Sequence, residues 1–276
     1  MRGPRPLQPQ RSGTEVGQLV RAQISERTLR TDRWWLSPLL TVAGLGLISV
    51  YAAIRTFMND YYWVSEYHYL TPMYSPCLSA ECVPAASHFG QPLPELPGFL
   101  TPPVFIIPFL LGFRITCYYY RKAYYRAAWL SPPACAVAEP HKTYTGETRA
   151  PLIAQNLHRY FFYAASILLL INIYDAIAAF SGEKGFGIGL GNIVLLVNVG
   201  LLAAYTLSCH SCRHITGGKL KHFSKHPVRY WMWQKISKLN AKHMQLAWAS
   251  LIFVCLTDLY IALVASGVIG DLRIVN

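Results

Sequence analysis

Two cysteines and two histidines recur at matched places in this chain, and their chemistry suits a soft-metal redox site. Cys117 opens Cys117-Tyr-Tyr-Tyr-Arg121 at the end of one apolar segment, and His158 opens the next. Cys209 opens Cys209-His-Ser-Cys-Arg213 at the end of a third, and His243 opens a fourth. Beyond each histidine the copies stay in step: Gly182 follows His158 by 24 residues, Gly267 follows His243 by 24, and each glycine is preceded by serine. The expected metal ligands are therefore Cys117, His158, Cys209 and His243. Zinc takes two Cys and two His tetrahedrally, though usually from locally spaced ligands. A Rieske-type [2Fe–2S] centre takes two Cys on one iron and two His on the other, whereas a haem b would use only the two histidines. The bland alternative is four helix-end residues without a metal.

The elements that must position these groups are membrane helices. The chain has 276 residues, 53% of them hydrophobic and 14% charged, with mean hydropathy +0.26. That composition fits a polytopic membrane protein. A span needs roughly 20 mostly apolar residues. Five segments qualify, about 35–57, 102–120, 159–180, 189–208 and 244–266. The expected fold is thus an all-α membrane protein of five transmembrane helices, with helices two–three and four–five as an internal repeat. Residues 1–34 hold seven Arg, 121–157 hold five Lys or Arg and 209–243 hold eight; residues 59–101 hold none. Basic residues collect on the cytoplasmic side. This predicts a cytoplasmic N-terminus, an external C-terminus and a cytoplasmic face for the ligand set. The net charge of +12 is spread over three segments between spans. It argues for topology, anionic lipid or an acidic soluble partner rather than nucleic acid.

The domain reading is a polar N-terminal segment, 1–31, and a five-helix anchor domain, 32–276. The anchor carries an outer loop 59–101 and cytoplasmic loops 121–157 and 209–243. The outer loop contains Cys77 and Cys82, where oxidation is allowed, so a disulfide is expected. Cys135 and Cys212 lie on the cytoplasmic side, and Cys255 lies inside an apolar helix. Asp175 and Asp258 are the acidic residues within spans three and five. At about 1.5 Å per residue they lie roughly 25 and 22 Å from His158 and His243, towards the outer leaflet. Intramembrane carboxylates face the bundle interior, so Asn172, Asn198 or a tyrosine hydroxyl is the expected structural partner, and a proton route or an outer quinone site the functional reading.

Around the expected ligands, Arg121 and Arg213 each follow a cysteine by four residues. They snorkel to phosphate, or donate to a quinone carbonyl or a cluster sulfur. Tyr119 and Tyr120 belong to an aromatic belt or line a quinone pocket. Cys209-His-Ser-Cys-Arg-His214 is a competing local cluster, within which His210 is the substitute ligand. The sequence shows no Walker loop, dinucleotide glycine motif, Ser–His–Asp pattern or HExxH.

Four motifs in combination carry a resemblance: Phe113-Arg-Ile-Thr-Cys-Tyr-Tyr-Tyr-Arg-Lys-Ala-Tyr-Tyr-Arg126, Ser131-Pro-Pro-Ala-Cys135, Cys209-His-Ser-Cys-Arg-His214 and Thr257-Asp-Leu-Tyr260. Over about residues 30–276 the chain resembles the membrane-anchor subunit of actinobacterial, mycobacterial type 1 succinate dehydrogenase. The resemblance implies a single-chain five-helix anchor in the plasma membrane. It implies flavoprotein and iron–sulfur subunits as partners, with a higher oligomer left open, and menaquinone as electron acceptor. It also implies a membrane-embedded Rieske-type [2Fe–2S] centre in place of haem b. The local Rieske signature is absent, so the ligands rest on the repeat. The rival classes are a haem b anchor and a non-redox transporter or structural protein working through Asp175 and Asp258.

Overall fold

The computed structural model describes residues 30–98, 100–141 and 154–276. The expected N-terminal segment and part of the loop 121–157 lie outside these. Four described helices are long and apolar enough to cross a membrane: α1 Leu36–Met58, α4 His158–Ala178, α5 Leu190–Leu207 and α8 His243–Ala265. They match four of the five expected spans to within a residue or two, and His158 and His243 are indeed the first residues of their helices.

The fifth expected span, 102–120, is not one continuous helix. It begins as a 3₁₀ turn at Pro102–Phe105 and becomes α2, Ile107–Ile115, of nine residues. The chain then breaks, and α3, Tyr118–Ala127, follows. The break has a local cause. Thr116 returns its hydroxyl proton to the Gly112 carbonyl at 2.7 Å, and Cys117 N–H closes an i−3 bond to Arg114 at 3.1 Å. Back-bonding hydroxyls and a tightened last turn end helices in this way. Cys117 itself is extended, at φ −66° and ψ 133°, and is the N-cap of α3.

The second repeat breaks at the same place. Ser208 bonds the Tyr205 carbonyl at 2.8 Å, and Cys209 N–H bonds Thr206 at 3.2 Å. Cys209 is extended at φ −65° and ψ 145°, as the N-cap of α6, His210–Gly217. A further helix, α7 Pro227–Asn240, packs on α6 before α8 begins. Each cysteine therefore sits in a kink between two helices, not on a helical face. Arg121 and Arg213 belong to the helices that follow.

Helices α2, α4, α5 and α8 pack around one another, and α1 lies outside against α3 and the far end of α8. Only Arg55 and Thr56 of α1 are buried, as suits a helix bathed in lipid. Gly112 permits the close approach of α2 to α4, because a Cβ there would overlap the Phe161 ring.

The bundle end remote from the cysteines is capped by residues 59–98. Cys77 and Cys82 are joined in a disulfide, as expected. Tyr62 stacks on Tyr74 at 4.5 Å. Burial pushes the Tyr74 phenol up to about 12; its hydroxyl donates to the last-turn carbonyls of α1, Arg55 at 3.1 Å and Thr56 at 3.3 Å. Tyr69 lies over Gly191, where any side chain would strike its ring. Its hydroxyl meets Asn192 at 2.9 Å and Asp271 at 2.8 Å. The chain's last strand, Arg273–Val275, pairs antiparallel with Ile188–Gly189, so the C-terminal tail is pinned to the same cap.

Both intramembrane aspartates are tied into this cap. Asp258 is fully buried and takes Arg55 Nε at 2.7 Å, the Tyr51 hydroxyl at 2.5 Å and the Thr71 hydroxyl. Asp175 meets His88 Nδ1 at 2.7 Å and the Ser75 hydroxyl. A tyrosine hydroxyl is thus among the partners of Asp258, but neither Asn172 nor Asn198 serves as one. Arg55, His88 and the loop hydroxyls do, because the cap folds back over the helix ends.

Candidate metal centre

The four expected ligands meet at the kinks, in two pairs. Cys117 Sγ lies 3.4 Å from His243 Nε2, and Cys209 Sγ lies 3.1 Å from His158 Nε2. Each contact joins a cysteine of one repeat to the histidine of the other. Cys117, Cys209 and His243 are at most 2% exposed. All four line one cavity of about 180 Å³, together with Thr116, Arg121, Gln155 and His210.

The far nitrogen of each imidazole is held by the residue just before its own repeat's cysteine. His158 Nδ1 lies 2.8 Å from Thr116 Oγ1, and His243 Nδ1 lies 2.6 Å from Ser208 Oγ. Each hydroxyl already gives its single proton to a backbone carbonyl, so it can only accept from the imidazole. Nδ1 must then carry the proton, and the Nε2 lone pair faces the sulfur. A ligating histidine is typically prepared this way, with its second nitrogen fixing tautomer and ring orientation. The rings are also clamped by stacking, His158 on Phe113 at 5.1 Å and 9°, and His243 on Tyr205 at 5.1 Å and 8°. Phe113 and Tyr205 each stand four residues before a cysteine, so the clamp repeats too.

Replacing Thr116 by Val, or Ser208 by Ala, removes one tautomer-setting acceptor. Losing such a partner typically costs 10–100-fold in metal affinity or activity. If the site holds a metal, the expected result is reduced metal retention in the purified protein and a shifted spectrum, measured by metal analysis and EPR. Metal content and spectrum both equal to wild type would remove the role given to these hydroxyls.

Among the described residues no group of three or more His, Cys, Asp or Glu surrounds a single point closely enough to hold one ion. The close contacts pair each cysteine with a histidine, whereas a Rieske-type centre would take both cysteines on one iron and both histidines on the other; what fits it is that all four donors line one cavity. The donor chemistry, two soft thiols and two tautomer-fixed imidazoles, fits iron–sulfur ligation.

The remaining expected site residues divide. Arg121 and His210 line the cavity. Tyr119 stands beside it, 5.5 Å from the His243 ring and 6.4 Å from the His210 ring. Tyr120 turns into the core instead, donating to the Ala247 carbonyl at 2.6 Å. Arg213 turns to α7, 4.9 Å over the Trp233 ring and 3.0 Å from the Ser237 hydroxyl. The local 209–214 cluster disperses: Cys212 is buried in the apolar core, and His214 meets Arg159 at 2.9 Å. Sequence reading missed Thr116, Ser208 and Arg114. Their signals were a hydroxyl residue before each repeated cysteine, and an arginine inside an apolar span.

These features define a polytopic helical membrane protein with a paired cysteine–histidine site at matched helix breaks. The chain belongs to the family of the actinobacterial succinate dehydrogenase subunit SdhC, whose model matches residues 36–267. A chain of the solved Mycobacterium smegmatis Sdh1 complex in the apo form is 64% identical, with a TM-score of 0.87 over 93% of this chain and 97% of that one. No curated protein sequence matches.

Proposed function

We propose that this chain is the membrane-anchor, electron-transfer part of a succinate dehydrogenase, with Cys117, His158, Cys209 and His243 as ligands of a Rieske-type [2Fe–2S] centre. The observation that carries this reading is the pair of imidazoles whose Nδ1 protons are committed to Thr116 and Ser208, which leaves each Nε2 aimed at a buried cysteine. Family membership and likeness to a chain of the M. smegmatis Sdh1 complex support other subunits beside this one, and the sequence resemblance implies that these are a flavoprotein and an iron–sulfur subunit. When bound, such a centre stores one electron between a docked donor and a quinone.

The chain's own residues do the rest. Cys117 and Cys209 would hold one iron, and His158 and His243 the other. Phe113 and Tyr205 hold the imidazole rings by stacking. At the cavity wall, Arg121 would orient a menaquinone carbonyl and His210 would carry its protons. The basic segments predict a plasma-membrane protein of five spans, the second over residues 102–120 and broken near Cys117, with the cysteine end cytoplasmic. The aromatic-basic helix α7, with Trp231 exposed beside Lys235, lies within the basic loop 209–243 and would offer charge and anchors to a docked soluble subunit.

The haem b alternative would use the same histidines and leave the cysteines idle. Here both Nε2 atoms face sulfur, and the cysteines are buried against the histidines that a haem would claim. Visible and low-temperature EPR spectra of the purified complex decide between them. The proposal expects a low-g rhombic iron signal that cannot be assigned to the soluble subunits, and no Soret band. A Soret band with no such signal would replace it by the haem reading.

A further inference from the structure

Arg114 is a guanidinium inside the helix bundle, and among the described residues none of its partners is a carboxylate. It stands on α2, three residues before Cys117. Its Nη1 donates to the Tyr120 hydroxyl at 2.6 Å, and to the Ala247 carbonyl and the Ser250 hydroxyl at 3.4 Å each. Its Cζ lies 4.9 Å from the centre of the Tyr205 ring, the ring that stacks on His243. Two other arginines that enter the fold behave differently: Arg55 is neutralised by Asp258 and Arg273 by Asp271. The repeat offers no symmetry reason for the charge either, since the position three before Cys209 is Thr206.

An unneutralised cation at this depth is costly, and such residues generally mark function. We propose that Arg114 is the fixed counter-charge of the centre held by Cys117, His158, Cys209 and His243, favouring its reduced state. This rests on the Rieske-type reading above. Two ferric ions, two sulfides, two thiolates and two neutral imidazoles sum to zero charge. One electron from the docked iron–sulfur subunit converts one ferric ion to ferrous and leaves the centre with one negative charge. No bond forms or breaks, and no proton moves. With Arg114 beside it, that electron would turn a pair of net charge plus one into a neutral one. The attraction acts in a medium of low dielectric, where charges interact far more strongly than in water. Tyr205 and Tyr120, which hold the guanidinium by ring face and hydroxyl, are positioning residues.

A purely structural Arg114 would instead clamp α2 to α3 and α8 through Tyr120 and Ala247, and its loss would change stability without moving a potential. Redox titration of the purified complex, read by low-temperature EPR, separates the two. With Arg114→Gln, the reduction equilibrium is expected to shift at least tenfold towards the oxidised state. For a one-electron couple, tenfold corresponds to about 59 mV. Arg114→Lys keeps the charge and is expected to stay within a factor of about three of wild type, about 0.7 kcal/mol at 1.4 kcal/mol per tenfold. Ser250→Asp places a carboxylate beside the intact guanidinium and is expected to shift the equilibrium in the same direction as Arg114→Gln. It serves where Arg114→Gln does not assemble. A wild-type midpoint in either neutralising variant, or a shift towards reduction, overturns the proposal. A wild-type complex without the low-g signal removes the centre and this inference together, whereas a normal wild-type signal with unmoved variants removes only the role of Arg114.

Discussion

Cys117→Ser and Cys209→Ser are each expected to abolish the low-g EPR signal, while the soluble subunits keep succinate oxidation with an artificial dye. A serine hydroxyl is a harder and far less acidic donor than a thiol, and it is a poor ligand for an iron–sulfur centre. The two cysteines are equivalent by geometry: both are N-caps in an extended kink, both are almost fully buried, and each meets the histidine of the other repeat. The losses should therefore match. Cys212→Ser is the control. Its sulfur belongs to the apolar core and not to the cavity, so the signal should survive. A dispensable Cys117 beside an essential Cys212 would dismantle the two-fold assignment. Haem ligation makes a different forecast, in which both cysteine changes are silent and only the His158 and His243 changes matter.

The second large effect is at the other end of the bundle. Asp258→Ala leaves Arg55 buried without its counter-ion, and breaking a buried pair from one side costs about 3–5 kcal/mol. The expected result is a marked loss of thermal stability in detergent, with the Cys77–Cys82 cap loosened because Thr71 loses its acceptor too. Arg55→Ala should be similarly damaging. Pairing Arg55→Met with Asp258→Leu should recover much of the loss, since apolar replacements of similar size often substitute for buried ion pairs. An Asp258→Ala protein that melts like wild type would show that this network does not fasten the cap.

Much of this architecture was legible in the chain. Four helices, the placement of His158 and His243 at helix starts, and the cap disulfide follow from apolar run length, local spacing and compartment chemistry. The kinks at Cys117 and Cys209 were not visible, because hydropathy reads through a break that a single hydroxyl back-bond produces. Thr116 and Ser208 carried that information in plain sight, one residue before each repeated cysteine. Asp258 and Asp175 were correctly singled out as residues needing partners inside the fold. The partners themselves, Arg55, His88, Ser75 and Thr71, are 87 to 203 residues away in sequence, a distance that no local pattern spans. Tyr120 and Arg213 illustrate a further limit of spacing. Each was read beside the site, and each is drawn off by a partner remote in sequence, Tyr120 by the Ala247 carbonyl and Arg213 by the Trp233 ring.

The most direct measurement is pulsed EPR on the reduced complex made with ¹⁵N-labelled histidine in this chain alone. Two strongly coupled nitrogens are expected, one from His158 and one from His243, with one lost when either is replaced. A reduced centre without histidine nitrogen coupling, or one whose couplings persist when both histidines are replaced, would contradict the assignment.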